Sequence, residues 1–539
     1  AMNSRIQKAV EQYTDPHLGD DVVTEYSVLP LYKVYRSLPD STRRLVILGV
    51  LGFSIFFVSI LNYVLRAVAA MSRRAKQVGV HKCSGADGWH ILSMFLWETG
   101  LLVVVSILCG GALLWLLRGQ VEELLGSSLA DLFTWQTLYV PLGTVLLLFL
   151  VAGVVPGRIY ARIPVTQVFR RYTEGKKGWK RPLLFVQFAG VAFICGLMCM
   201  VMMQYHFVMS KDMGFSTERI VGTYLPFKTA KECDNAYNFF RSLPYVEDLS
   251  SAYGNPLEGY SGCFITGENG ESLFSARFDA CMSNYYDLMG MKLKEGRLPR
   301  DNSEVVVNET FVNLMKWGKD AVGHTVHTMG ETSTVTGVLK DFQINGFYAE
   351  PMPYIGFMSR QFNNGLHFLL KEPFAENLQR LTKDAAEAFP DKTIDFTSME
   401  EGMNMLYNPV RVFRNATAVA SVVMFFIMLM GLLGYTADEV QRRSKEIAIR
   451  KVNGAEASSI LRLLGRDVLY VAVPAVVIGV AASWYVNSLW MDMFSAQASM
   501  SAAVYVLIGV AVLAVITGCV LWKSWRIANE NPVLSIKSE

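Results

Sequence analysis

Apolar and polar positions fall in blocks along this chain. Seven apolar runs, 45–65, 96–117, 137–157, 182–204, 416–434, 468–490 and 503–522, each approach or exceed the roughly 20 residues a helix needs to cross a bilayer. Between the fourth and the fifth lies 205–415, where the pattern changes. Ser303–Asn308 and Thr332–Leu339 read as strands, Phe374–Phe389 reads as a helix, and glycine and proline punctuate the remainder. The layout predicts a polytopic α-helical membrane protein of about seven transmembrane helices with an α+β extracytoplasmic domain. Residues 1–44 are mixed and polar, with neither the apolar core nor the cleavage site of a signal peptide.

One stretch occurs twice. Arg73–Ile91 and Arg442–Ile460 align at an offset of 369 with seven of nineteen positions identical, among them Arg73/Arg442, Arg74/Arg443, Lys76/Lys445, Lys82/Lys451, Gly85/Gly454 and Ala86/Ala455. Gln77/Glu446, Val78/Ile447, Val80/Ile449 and Asp87/Glu456 are near-isosteric pairs. Each copy follows one apolar run and precedes another, so the chain contains an internal repeat. Each copy reads as an elbow: a helix, a Gly-Ala break, and a second helix leading into the next span. Asp438 is expected to cap the start and Gly454 to end the first segment. Val440, Ile447, Ala448 and Val452 are expected to share one face, with Met71, Val78, Gly79 and Cys83 in the same places in the first copy. A basic juxtamembrane cluster alone would need only charge, to fix topology and touch anionic membrane lipid. Two copies that also share the order of apolar and glycine residues predict a shaped docking element.

Charge orients the chain. The short loops 66–94, 158–181, 435–466 and 523–539 hold 23 Lys and Arg, whereas 118–136 and 491–502 hold one, Arg118. The positive-inside rule places the basic loops, and both elbows, in the cytoplasm. Four spans separate the elbows, so the repeat is parallel rather than inverted. The second repeat has four spans with a large insert after its first, and the first repeat shows three. The simplest account is that the chain begins inside a first insert, having lost a leading helix. The expected domains are a remnant of that insert (1–44), a first membrane domain (45–181), the leading helix of the second repeat (182–204), the extracytoplasmic domain (205–415) and a second membrane domain (416–539). Glu98 and Asp467, also 369 apart, could pair with elbow arginines or sit among lipid headgroups.

Candidate chemistry is sparse. Six of the seven runs lack Asp, Glu, Lys, Arg and His, which argues against an ion-driven carrier. No GxxxxGK[ST], GxSxG or HExxH occurs, so neither an ATPase nor a hydrolase is expected in this chain. No CxxC occurs among the eight cysteines, although Cys263 and Cys281 could pair if their block is exported. His324 and His327 are three apart on a strand and face opposite ways, so no metal site is expected there. A net charge of +3 gives no reason to expect nucleic acid.

The sequence RRSKEIAIRKVNGA resembles the cytoplasmic signature of FtsX/MacB-type ABC-transporter permeases. The first copy matches less well, with Gln77 and His81 at the positions of an acid and an arginine. EVVVNETFVNLMKWGKDAVGHTV and TVTGVLKDFQINGF are similar to the MacB-like periplasmic core domain, and IPVTQVFR and NPVLSIKS to the family's short tails. The resemblance implies a multi-pass permease of the bacterial inner membrane, working by mechanotransmission with a separate cytoplasmic ABC ATPase dimer. ATP and Mg would be bound by that partner, with no cofactor in this chain. Arg73, Arg74, Lys76, Gln77, Lys82, Gly85 and Ala86 would form one docking element. Arg442, Arg443, Lys445, Glu446, Arg450, Lys451, Gly454 and Ala455 would form the other. A periplasmic adaptor, a wall hydrolase or a second permease copy are further partners it admits. The work done would be export or extraction of hydrophobic compounds, peptides or lipoproteins. The alternatives are an FtsX-like regulator that activates a cell-wall hydrolase without transport, and an ATPase-free sensor.

Overall fold

The computed structural model describes residues 2–11, 28, 30, 39–69, 71–125, 128–161, 180–227, 229–359 and 364–528, with some side chains in these ranges excepted. The chain forms two compact units. One comprises Ala1–Leu38, His206–Pro409 and Asp492–Gln497, and the other Pro39–Tyr205, Val410–Met491 and Ala498–Glu539. IPVTQVFR and NPVLSIKS lie outside the described residues.

Among the described residues, the membrane unit holds seven helices long and apolar enough to span a bilayer: Leu45–Tyr63, Gly88–Leu116, Tyr139–Arg158, Arg181–Ser210, Asn408–Ala437, Ala457–Met491 and Ala502–Trp525. Each contains or closely overlaps one of the seven apolar runs. The fourth is the central one, with 56% of its apolar window buried against 6% for Gly88–Leu116. Small residues bring it close to the sixth. A Cβ on Gly479 would lie 2.2 Å from the Ala189 carbonyl oxygen, and one on Gly196 would lie 2.1 Å from Ser483 Oγ. In a bilayer, where apolar burial gives helices little reason to prefer each other over lipid, such close packing carries the association. Uncharged amides reinforce it. Asn487 Nδ2 donates to the Gly196 carbonyl (3.3 Å), Gln204 accepts from the Ala498 N–H (2.8 Å), and Asn62 Nδ2 donates to the Ile427 carbonyl (3.0 Å).

The second unit is built on one eleven-stranded sheet in two parts, with one further strand, Leu293–Gly296, paired to Glu331–Leu339 beside them. Strands β3 (Ser261–Thr266), β4 (Ser272–Cys281), β6 (Glu304–Asn308), β7 (Thr325–Thr328), β8 (Glu331–Leu339) and β9 (Tyr354–Met358) pair in the ring β4-β3-β7-β8-β6-β9. The parallel β4–β9 pairing closes that ring and leaves no free edge. Inside lie Ile265, Val305, Val307, Phe311, Val335 and Ile355, each with no more than traces of exposure. The strand expected at 303–308 is β6, and the one expected at 332–339 is β8.

The other part is a wing of β11 (Thr397–Ser398), β1 (Ile220–Tyr224), β10 (Gly365–Leu370) and β2 (Val246–Ala252), joined to the ring at the Ala252–Cys281 pair. Two amphipathic helices, Ala230–Arg241 and Phe374–Ala388, cover one face of it. Phe240, Tyr237, Leu381 and Ala385 meet Val221, Leu249, Leu366 and Phe368 in a single core. Thr229 and Glu232 begin the first helix with a reciprocal capping box.

Cys263 lies opposite Ala276, five residues along β4 from Cys281, and all eight cysteines are free. Five residues of strand span about 17 Å, so the Cys263–Cys281 bridge left open by the sequence cannot form. His324 stacks on Trp317 (4.8 Å), while His327 Nδ1 meets Thr332 Oγ1 (2.8 Å).

Candidate functional site

The two elbows end alike, residue for residue. In the first, the helix Met71–Cys83 ends at Gly85 (φ +91°), and Gly88–Leu116 follows. In the second, Ser444–Val452 ends at Gly454 (φ +87°), and Ala457–Met491 follows. The closing hydrogen bonds match as well. Ser84 N–H donates to the Val80 carbonyl and Ala86 N–H to that of His81, as Asn453 does to Ile449 and Ala455 to Arg450. This is the six-to-one closure of a helix by a left-handed residue, and glycine adopts that conformation without steric cost. The turn then restarts at once. Asp87 accepts from the His90 N–H (2.8 Å), and the His90 backbone and imidazole hold its carboxyl below the usual range. Each new helix runs unbroken into its span, so the elbow's second segment is the start of the span itself.

Two expectations change here. Asn408–Arg442 is one continuous helix, so Asp438 lies in its interior and does not cap a new one. The apolar face also divides. Val440 and Ile447 are buried with Ile460 and Leu464, and their first-copy counterparts Val78, Ile91 and Phe95 are buried too. That face holds the elbow against the base of its own span. Val452, expected on the same face, is instead 68% exposed, with Ile449 at 60% and Val80 at 55%. Cys83 is exposed as well. Of the residues the sequence placed on one face, Val440 and Ile447 are thus buried while Val452 turns outward, where Ile449 joins it.

The charged residues divide in the same way. Arg443 turns inward, with Nε 2.7 Å from Glu439 and Nη2 2.8 Å from Asp467. Asp467 therefore pairs with an elbow arginine, the first of its two readings. Glu439 was not singled out from sequence, although its i, i+4 spacing to Arg443 was visible. Lys82 Nζ donates to the Ala161 carbonyl (2.7 Å), where it satisfies the open end of the Tyr139–Ala161 helix. Outward-facing groups include Gln77, Glu446 and Arg450, the last two joined at 2.7 Å. Gly85, Gly454, Ala86 and Ala455 form the turns themselves. The side chains of Arg73, Arg74, Lys76, Arg442, Lys445 and Lys451 lie outside the described residues, as do those of Met71, Asp438 and Ala448.

Against this geometry, the family of FtsX-like permease C-terminal domains matches residues 49–165 and 418–532. Both membrane halves are FtsX-like permease domains. Each matched range contains one elbow with the spans on either side of it. FtsX-like permeases are membrane subunits of ABC transporters that work with a cytoplasmic ATPase. No curated protein matches the chain. Solved structures similar to part of it include three extracytoplasmic domains. The periplasmic region of MacB from Actinobacillus actinomycetemcomitans is 15% identical, with 37% of this chain and 98% of that one covered and a TM-score of 0.29. The extracellular domain of the noncanonic ABC-type transporter YknZ from Gram-positive bacteria is 14% identical, with 33% and 98% covered and a TM-score of 0.25. A domain of a putative permease protein from Porphyromonas gingivalis is 16% identical, with 34% and 92% covered and a TM-score of 0.25.

Proposed function

We propose that this chain is the permease subunit of a mechanotransmission ABC transporter in the bacterial inner membrane. A separate cytoplasmic ABC ATPase dimer docks on the two elbows and supplies all of the ATP chemistry. Its closure drives motion of the 205–415 domain, for export or extraction of hydrophobic compounds, peptides or lipoproteins. The observation that carries this reading is the twice-built elbow, with the same turn, the same buried base and the same exposed apolar step. A motor that pulls on both halves needs two equivalent handles, each rigidly tied to a span. Val80, Ile449 and Val452 supply apolar anchoring, while Gln77, Glu446, Arg450 and the elbow lysines and arginines steer the approach.

The test is co-purification with a cytoplasmic ABC ATPase from the same cells. Ile449→Asp with Val452→Asp should cut recovery of the ATPase about tenfold or more, because desolvated anchors dominate such interfaces. Both residues are exposed, so the variant should still fold. Glu446→Ala with Arg450→Ala should slow association and weaken its dependence on salt. Full ATPase recovery with the paired aspartates would remove the elbows from the interface.

A further inference from the structure

The wing of the extramembrane unit has a second face. Along β10 the residues alternate, with Leu366, Phe368 and Leu370 entering the helix-covered core and His367 pointing the other way. In register, His367 sits between Gly222 of β1 and Ser250 of β2. Its imidazole is 1% exposed and packs edge-on to Tyr285 at 5.3 Å. Among the described residues, neither ring nitrogen has a hydrogen-bond partner. A Cβ built on Gly222 would lie 3.9 Å from Nε2, so the glycine leaves open the space beside that nitrogen.

That space belongs to a cavity of about 520 Å³ closed on its far side by the Met399–Leu406 helix. Leu257, Met399, Met405 and Leu406 form an apolar wall, and methionine's unbranched side chain lets such a wall adapt to its contents. Glu258 and Asp395 supply carboxylates, and no Lys or Arg lines the cavity among the described residues. Burial first, and then the neighbouring Glu258 carboxylate, raise the pKa of the Tyr224 hydroxyl. The volume suits a small organic molecule.

We propose that this cavity binds a small organic cation, an amine whose ammonium lies between Glu258 and Asp395. Its apolar body rests on Leu257, Met399, Met405 and Leu406. At the floor, the unpaired nitrogens of His367 exchange a hydrogen bond with the ligand, which removes the cost of leaving a buried polar group unmade. Burial pushes the imidazole down to about 4, so the ring is neutral at physiological pH and does not repel the cation.

Calorimetry on the full chain in lipid nanodiscs, with empty nanodiscs subtracted, tests this. The probes are tyramine, whose ring hydroxyl can meet His367, its neutral isostere tyrosol and the matching phenylacetate that carries the same ring hydroxyl. The amine should bind about tenfold or more tighter than the alcohol, and the phenylacetate should not bind, as a charge-assisted bond to carboxylate requires. Glu258→Gln and Asp395→Asn should each weaken the amine several-fold and leave the alcohol unchanged. His367→Gln risks disturbing the strand, so Met405→Trp at the exposed mouth serves as the steric control and should block all binding. Equal binding of the phenylacetate, an affinity unmoved by either carboxylate variant, or no binding of the amine would each overturn the proposal. Because the measurement needs no ATPase, its outcome is independent of the function proposed above.

Discussion

At the scale of single residues, two buried groups of the extramembrane unit, Asp279 and His367, act on stability with opposite sign at mildly acid pH. Asp279 on β4 has no exposure and accepts the N–H groups of Tyr253 (2.9 Å) and Gly254 (3.3 Å) on one oxygen, while the other has no partner among the described residues. Burial raises its pKa from 3.8 to about 7 against the pull of those N–H groups. Tyr260, Tyr285, Tyr286, Tyr354 and Cys281 around it are pushed far upward by burial and stay neutral. Between pH 3.8 and 7 the folded chain therefore holds a proton that the unfolded chain releases, and stability falls as pH rises. His367 works the other way. Lowered from 6.5 to about 4, it is neutral when folded and protonated when unfolded across that interval, so its contribution grows as pH rises. In the wild type the two slopes oppose each other from about pH 4 to 6.5. Asp279→Asn should leave only the histidine slope, up to about 1.4 kcal/mol per pH unit. Near-UV circular dichroism melts of the full chain from pH 4 to 7.5 would show it, and identical pH profiles for variant and wild type would refute it.

Single elements are where the elbows acquire their stiffness. Arg443, at the break after Asn408–Arg442, joins Glu439 on that helix to Asp467 on the next span, so one guanidinium spans the bend. All three side chains are at least three-quarters covered. Removing the cation would strand two poorly solvated carboxylates, at a cost of about 3 kcal/mol. Arg443→Ala should loosen the second elbow, read as faster hydrogen exchange across 444–460 than in the wild type. Arg443→Lys should restore this only in part, because an ammonium lacks the planar fork that meets two carboxylates at once. Unchanged exchange in the alanine variant would reduce the clamp to a surface pair. The glycines, the charge order and the repeat offset were all legible before the structure, since turn chemistry and charge are local properties. Which apolar residues face inward was not. The helix Asn408–Arg442 runs on beyond its apolar stretch, and the bend after it rotates the following turn, so a face drawn through one straight helix put Val452 on the wrong side. Likewise the strand at 304–308 was readable from its β-branched run. Closure of the ring by β4 and β9 joins positions 77 residues apart (Arg277 with Tyr354), and no local pattern reports such a pairing. Burial of Asp279 follows from that pairing and was invisible for the same reason. The His367 cavity lay between the two cases: one histidine in the alternating run Gly365–Leu370 marked a second face, but nothing local showed what covered it.

For the whole molecule, the orientation of the elbows decides how everything else is read. The 23 cations on one set of short loops against one on the other predict that the elbows lie on one side of the bilayer and the 205–415 domain on the other. An odd number of spans separates each elbow from the domain, one run (182–204) being the last crossing before it and one (416–434) the first after it, so the two sides are tied by parity as well as by charge. Single cysteines can test this once the exposed Cys83 and Cys109 are replaced by serine. Ser458 in the second elbow and Glu331 at the β7–β8 turn are both exposed and lie in described helix or strand. A membrane-impermeant maleimide should label Glu331→Cys in spheroplasts and leave Ser458→Cys unlabelled until inverted vesicles are used. Labelling of both from the same side would break the parity argument, and labelling in the reverse order would put the handles where no cytoplasmic ATPase can reach them. The first elbow carries its own probe in the native Cys83, which is exposed just before the Gly85 turn. With Cys109 alone replaced, that thiol should follow the accessibility of Ser458→Cys, because a parallel repeat must present both handles to the same compartment. Labelling of Cys83 from the side opposite to Ser458→Cys would make the repeat inverted, and a single cytoplasmic motor could then grip only one half.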